Sequence, residues 1–310
     1  MRKAIVTGGR GFIGRRLVNE LCCRGIEVRT IGRSQSIDAT DATDIVLEET
    51  LWDSQALDRV FEATAPDCIF HLAGAARGTT AELARVNVEL FRCILRALKR
   101  TGLRPRLVVA GSAAEYGSAI RDGEAVRETA ICSPLSDYGA SKQAQTRAAL
   151  AYAENTGTSV LVARIFNPLG PKMPTHLAIG DFANQIASMP RNCGTLRVGN
   201  IDVRRDMIDI EHVTALLYGL AENVDASGVV NLCSGQAPLL RDLVEMLIEG
   251  CGGEIDLEID WARVRGNETH TIIGSTDLLA QYGCLPPPTD FPAVIARVCR
   301  AVAESRALPS

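Results

Sequence analysis

The chain opens with KAIVT (Lys3 to Thr7) and runs straight into GGRGFIG (Gly8 to Gly14). A short apolar strand that enters four glycines in seven residues can lead into few folds. The segment matches GxGxxG from Gly9 and GxxGxxG from Gly8. Phe12, Ile13, Leu17, Leu21 and Cys22 then recur at helical spacing up to Arg24, and Gly25 supplies a helix C-cap. Strand, tight glycine turn and helix form the first half of a βαβ unit. Such a turn brings backbone N–H groups and a helix N-terminus to a pyrophosphate. Gly8, Gly11, Phe12, Ile13 and Gly14 are therefore candidates to cradle a dinucleotide.

The same alternation continues along the chain. EVRTI, IVLEETL, CIFHLAG, RLVVAGS and SVLVARIF read as strands, with helices over Glu82 to Arg100 and Tyr138 to Asn155. This pattern predicts an α/β fold of Rossmann type, a doubly wound parallel sheet covered on both faces. After Asn167 the units become smaller. A helix is expected from Asp181 to Met189, a strand at RRDMIDI, a helix at EHVTALLYGLAENV and a further sheet strand at GVVNLC. The expected division is a nucleotide domain of 1–169 plus 204–235 and a smaller α/β substrate-binding domain of 170–203 plus 236–310. With 310 residues, 46% of them hydrophobic, the chain can bury one large core or two modest ones.

Net charge is −4, which excludes a general affinity for nucleic acid or anionic membrane. Ten cysteines are scattered without a CxxC, and no Cys–His spacing points to a metal. Reduced thiols and a cytoplasmic location are the expectation. The N-terminus reads as a strand rather than a signal peptide, and no apolar run is long enough to span a membrane.

Three further features carry chemistry. The second strand ends in Gly32, Arg33 and Ser34, where an NAD site would place an acid on the ribose. A cation and a hydroxyl suit a 2′-phosphate, so NADP(H) is the expected cofactor, with NAD(H) as the alternative. Tyr138 and Lys142 stand four residues apart and share a helix face. An ammonium near a phenol stabilises the phenolate, and the expectation is a Tyr138 of lowered pKa. Ser112 ends a strand in GSAAEYG, a third polar group for the same site.

Together TGGRGFIG, HLAG, Asn87, the serine of GSAAEYG, YGASK and RIFNPLGP resemble the extended short-chain dehydrogenase/reductases, the NAD-dependent epimerase/dehydratase family. The resemblance spans nearly the whole chain. It implies that Ser112, Tyr138 and Lys142 form a catalytic triad, with Tyr138 as acid/base and Lys142 also on the nicotinamide ribose. It adds Leu51, Leu72, Ala73, Gly74, Asn87 and Pro168 to the cofactor candidates. It makes Asn167, Arg205 and Arg265 candidates for a sugar nucleotide, since arginine forks suit phosphate oxygens. VGNIDVRRDMIDIEHV (Val198 to Val213) resembles the nucleotide-sugar reductases of this family.

Dehydratases of the family place an acid just after the catalytic serine or threonine. Here those positions are Ala113 and Ala114, and Glu115, one step later, would face away on an extended segment. The leading expectation is an NADPH-dependent 4-ketoreductase acting on a nucleotide-diphosphate 4-keto-6-deoxyhexose. A 4-epimerase is the alternative; a dehydratase or a non-catalytic binding protein ranks below it. A homodimer is expected through the helix pair carrying Val86, Leu90, Ile94 and Leu98 and Ala144, Ala148, Ala151 and Tyr152.

Overall fold

The structure, a computed structural model, describes residues 1–32, 42–47, 55–264 and 269–307. Arg33, Ser34, Leu51 and Arg265 lie outside the described residues. The glycine turn joins β1 (Lys3–Thr7) to α1 (Gly14–Cys23), and β2 (Glu27–Gly32) returns beside β1. Next come β3 (Thr43–Val46), α2 (Gln55–Thr64) and β4 (Cys68–His71). α3 (Thr80–Ala84) and α4 (Leu90–Thr101) lead to β5 (Arg106–Ser112). After the two-residue β6 (Ala125–Val126), α5 (Asp137–Thr156) crosses back to β7 (Val160–Ile165).

Seven parallel strands form the main sheet. The seventh is β12, given below, and the order is β12-β7-β5-β4-β1-β2-β3. The order reverses between β1 and β4, and ligands of such sheets bind at the carboxyl ends around that switch point. One face is packed by Leu17, Val18 and Leu21 of α1, and the other by Phe61 of α2, Phe91, Ile94 and Leu98 of α4 and Ala149 of α5. The doubly wound architecture expected from the alternation is what the chain adopts.

β8 (Asn167–Leu169), α6 (Ala178–Ser188), β9 (Gly194–Val198), β10 (Arg204–Arg205) and β11 (Met207–Asp209) follow. Then come α7 (Ile210–Glu222), β12 (Gly228–Leu232), α8 (Leu240–Cys251), β13 (Ile255–Ile259), β14 (Thr271–Gly274), α9 (Asp277–Gln281) and α10 (Phe291–Ala307). α7 returns to the first face of the sheet through Val213, Leu217 and Leu220. A third core gathers Phe182 and Ile186, Leu196 and Val198, Leu243 and Leu247, and Val294, Ile295 and Val298. We propose that it is the heart of the smaller domain, with the boundaries given above.

Two local departures from the expected elements have physical causes. RRDMIDI is split into β10 and β11 at Asp206, whose buried carboxylate accepts backbone N–H bonds from Ser234 (2.8 Å), Gly235 (3.0 Å) and Gly274 (3.0 Å). Those bonds tie three loops together and interrupt the strand. The helix expected from Glu82 to Arg100 is α3, a π turn over Arg85–Glu89, and α4. A π turn inserts one residue into the helical ladder and often marks a functional site. Val86, Leu90, Ile94 and Leu98 pack into the main core, so the apolar outer face expected for a dimer is largely spent inside the monomer. Of the α5 residues, Ala151 is exposed, while Ala148 and Tyr152 are half-buried against the same core. All ten cysteines are free thiols, four of them buried and two, Cys23 and Cys193, exposed. No helix among the described residues is long and apolar enough to cross a membrane.

Candidate active site

The glycine turn sits where β1 and β4 part. Gly8 has φ +72°, and a Cβ there would lie 2.7 Å from the Ala73 backbone nitrogen. A Cβ on Gly14 would lie 2.1 Å from the Gly8 carbonyl oxygen. Both positions exclude any side chain, which leaves the main chain open to a ligand. α1 begins at Ile13 with no side-chain cap, and its first turn carries no acid. An uncapped helix start behind a glycine cradle fits a pyrophosphate. Gly8, Gly11, Phe12, Ile13 and Gly14 are thus brought beside Leu72, Ala73 and Gly74 at the end of β4. Leu72 N–H donates to the Thr7 carbonyl (3.1 Å) and Ala73 N–H to Thr7 Oγ1 (3.3 Å).

Asn87, at the centre of the π turn, is fully buried. Its Oδ1 accepts from Ala75 N–H (2.8 Å), and its Nδ2 donates to the Ala75 carbonyl (2.9 Å) and to Ser141 Oγ (2.8 Å). Ser141 in turn donates to the Tyr138 carbonyl (2.8 Å). Asn87 therefore clamps the loop after β4 to the first turn of α5. That turn is capped by Ser136, which accepts from Gly139 N–H (3.1 Å).

Ser112 ends β5, and its hydroxyl bears on the phenol of Tyr138. The electrostatics differ from the expectation. Burial pushes the Tyr138 phenol up, Ser112 hydrogen bonding pulls it down, and the Glu115 charge pushes it up again. Lys142 is buried, with Nζ donating to Gln145 Oε1, and burial lowers it from 10.5 to about 8, against the pull of Glu115. Tyr138 and Lys142 stand four residues apart on α5, and burial is the largest influence on each. For Tyr138 the net direction is upward, opposite to the lowered phenol expected from the sequence.

His71, at the end of β4, completes the floor. Its Nδ1 is 2.8 Å from Thr7 Oγ1, and its Nε2 is buried without a partner. Burial, with help from the Lys142 charge, lowers it to about 3, so it is a neutral imidazole.

The model of the NAD dependent epimerase/dehydratase family matches residues 4–233. The chain belongs to this family. It is 33% identical over 217 residues to a GDP-6-deoxy-D-mannose reductase of Pseudomonas aeruginosa, covering 68% of this chain and 71% of that one. It is 29% identical over 253 residues to a dTDP-6-deoxy-L-talose 4-dehydrogenase (NAD(P)(+)) of Kitasatospora kifunensis, covering 81% and 79%. The structure of RMD from Pseudomonas aeruginosa in complex with NADPH superposes with a TM-score of 0.83 at 25% identity, over 98% of this chain and all of that one. Epimerases of the family match as well.

Within this family fold, the substrate-side candidates are less closely gathered. Asn167 opens β8 and donates from Nδ2 to the Asp206 carbonyl (2.8 Å), and Pro168 is buried behind it. Arg205 lies on β10 in a separate sheet, and one guanidinium nitrogen donates to the carbonyls of Arg204, Thr269 and His270. Two groups were missed or misplaced from sequence. Glu115 was expected to face away on an extended segment. Instead Ala113–Glu115 is a 3-10 turn, and Glu115 folds back fully buried beneath Ser112. Arg164 is its partner at 3.0 Å. The signal was available: an arginine inside the otherwise apolar VLVARI, a strand buried at every position, needs a buried anion. Arg10, on the glycine turn, pairs with Asp44 of β3 at 3.2 Å.

Proposed function

We propose that the chain is a nucleotide-sugar 4-ketoreductase that uses NADPH, with Ser112, Tyr138 and Lys142 as its catalytic residues. The observation that carries this reading is the pairing of Ser112 with Tyr138 at a site where, among the described residues, the one acid in the turn after Ser112 is already engaged. Ala113 and Ala114 hold methyl groups, and both oxygens of Glu115 are engaged, by the Ser112 N–H (2.9 Å) and by Arg164 (3.0 Å). One proton donor suits net reduction of a carbonyl; elimination of water needs a further acid/base. Names of the relatives agree in chemistry, a 6-deoxymannose reductase and a 6-deoxytalose 4-dehydrogenase. We extend to this chain the substrate class they share, a nucleoside diphosphate linked to a 6-deoxyhexose oxidised at C4.

When bound, the reduced nicotinamide supplies the hydride. Ser112 Oγ orients the carbonyl oxygen, and Tyr138 donates its proton to the alkoxide that forms there. Lys142 and Gln145 hold the base of the site, and Gly8 to Gly14 fix the pyrophosphate. Preference for NADPH rests on Gly32, Arg33 and Ser34 in the sequence, on Arg10 beside the end of β2, and on the NADPH-bound relative. A homodimer remains our proposal, to be read as twice the chain mass in light scattering.

The test is NADPH oxidation at 340 nm with GDP- and dTDP-linked 4-keto-6-deoxyhexoses. Net, stoichiometric NADPH consumption is expected, and Tyr138→Phe should lower kcat by about a thousandfold or more while NADPH still binds. Inversion at C4 of the corresponding 4-hydroxy nucleotide sugars, without net NADPH consumption, would replace this reading by the 4-epimerase.

A further inference from the structure

The pair Glu115–Arg164 has features that an ordinary structural ion pair does not require. Glu115 is fully buried and Arg164 nearly so. One carboxylate oxygen accepts from the Ser112 N–H and the other from Arg164 Nε. In the same turn, Ser112 Oγ accepts from Ala114 N–H (3.2 Å), so the serine is held at its backbone and at its hydroxyl. The Arg164 guanidinium stacks on Tyr116 at 4.6 Å, and the Tyr116 hydroxyl donates to Asn231 Oδ1 (2.6 Å). Asn231 N–H then donates to Glu128 (2.9 Å). The carboxylate is thus anchored from β5 and β7, and Asn231 of β12 holds Tyr116, on which Arg164 stacks. It stands behind the serine, not in the open site.

We propose that Glu115 is a positioning residue of the active site: its buried carboxylate fixes Ser112 against Tyr138 and supplies the negative charge that keeps the proton on Tyr138 until it is donated. Arg164 occupies the second oxygen and holds the carboxylate behind the serine. The inference rests on the reading of Tyr138 as proton donor.

The charged and titratable groups that face Tyr138 and Lys142 can be named from each packed element. They are His71 from β4, which faces Lys142, and Glu115 from the turn after β5, which faces both; Arg164 of β7, Tyr116 and Cys132 surround Glu115 on its far side. Of these, Glu115 bears on both Tyr138 and Lys142, in each case toward the protonated form.

The experiment is 13Cζ-tyrosine NMR on the full chain. Tyr138 is one of five tyrosines and is assigned by the loss of its signal in Tyr138→Phe. Glu115→Gln keeps an oxygen for the Ser112 N–H but removes the charge. Its Tyr138 signal should titrate at lower pH than wild type, with several-fold more phenolate at a fixed alkaline pH. Arg164→Lys keeps the pair and should titrate as wild type does. If Glu115→Gln is recovered unfolded, the double variant E115Q/R164M, which buries no lone charge, carries the test and should show the same downward move. A Tyr138 titration unchanged in folded E115Q or in the double variant overturns the proposal and leaves Glu115 a structural cap. Because the readout needs no substrate, an enzyme inactive on every keto sugar but showing the shift would refute the proposed reaction and uphold this inference.

Discussion

Lys142→Met should make the protein more stable at neutral pH while removing its activity. Lys142 is buried and sits at about 8, against an ordinary 10.5. At about 1.4 kcal/mol per pH unit, holding that ammonium charged in the folded state costs about 3 kcal/mol at pH 7. Methionine fills much the same volume without the charge. The variant loses the Nζ bond to Gln145 Oε1 and leaves that oxygen unpartnered, a loss of about 2 kcal/mol. The balance is a gain of about 1 kcal/mol. The pH dependence is the sharper signature. Below pH 8 both folded and unfolded lysines are protonated, and the cost is constant. Between pH 8 and 10.5 the unfolded lysine holds a proton that the folded one has released, so wild-type stability rises with pH. The variant lacks that rise, and wild type overtakes it between about pH 8 and 9. Urea unfolding followed by far-UV circular dichroism, from pH 6.5 to 10, measures both curves. A Lys142→Met protein that is less stable than wild type at pH 7, or a difference that stays constant across the range, would refute the argument.

His71 gives the opposite limb. Its folded value of about 3 lies below the ordinary 6.5, so the stability it lends is complete above pH 6.5 and is lost as pH falls toward 3. Between pH 6.5 and 5 wild type should lose about 2 kcal/mol through this group, and His71→Asn should lose correspondingly less in the same urea titration. Gly14→Ala tests the cradle. Helix propensity alone favours alanine by about 1 kcal/mol, but its Cβ, fixed by the backbone, would meet the main-chain Gly8 carbonyl oxygen at 2.1 Å, and neither can swing aside. Net destabilisation of about 2 kcal/mol and loss of NADPH affinity are expected from thermal melts and fluorescence titration. Gly102→Ala, at φ +71° in open space, should cost about 1 kcal/mol and leave NADPH affinity unchanged.

The parts of this molecule legible in its sequence are those encoded locally. The glycine turn, the strands that feed it and the Ser112 and Tyr138 positions each lie within a few residues of their own signal. The two-fold covering of the sheet follows from alternation alone. What was not legible depends on residues far apart in the chain. Asp206 interrupts a strand because Ser234, Gly235 and Gly274 reach it from other loops. Val86, Leu90, Ile94 and Leu98 could be assigned to an outer face because periodicity gives a stripe but not its partner; in the fold that stripe meets the sheet. Spacing placed Tyr138 and Lys142 on one face correctly, yet it said nothing of how deeply the fold would bury them, and burial decides the direction of both pKa values.

The site collects polar groups that the fold does not satisfy. His71 Nε2, Gln145 Nε2, Thr146 Oγ1 and an Arg164 nitrogen are buried without partners, all on β4, α5 or β7. Each unmade bond costs about 1–3 kcal/mol, so this end of the sheet is held against its own preference by the cores on either face. A proton held on Tyr138 favours delivery to an oxygen that is gaining negative charge. It disfavours taking a proton from an alcohol, which needs the phenolate. An epimerase must do both in one cycle with the same residue, whereas a reductase needs only the first. The two are told apart by net NADPH consumption, which a reductase requires and an epimerase does not.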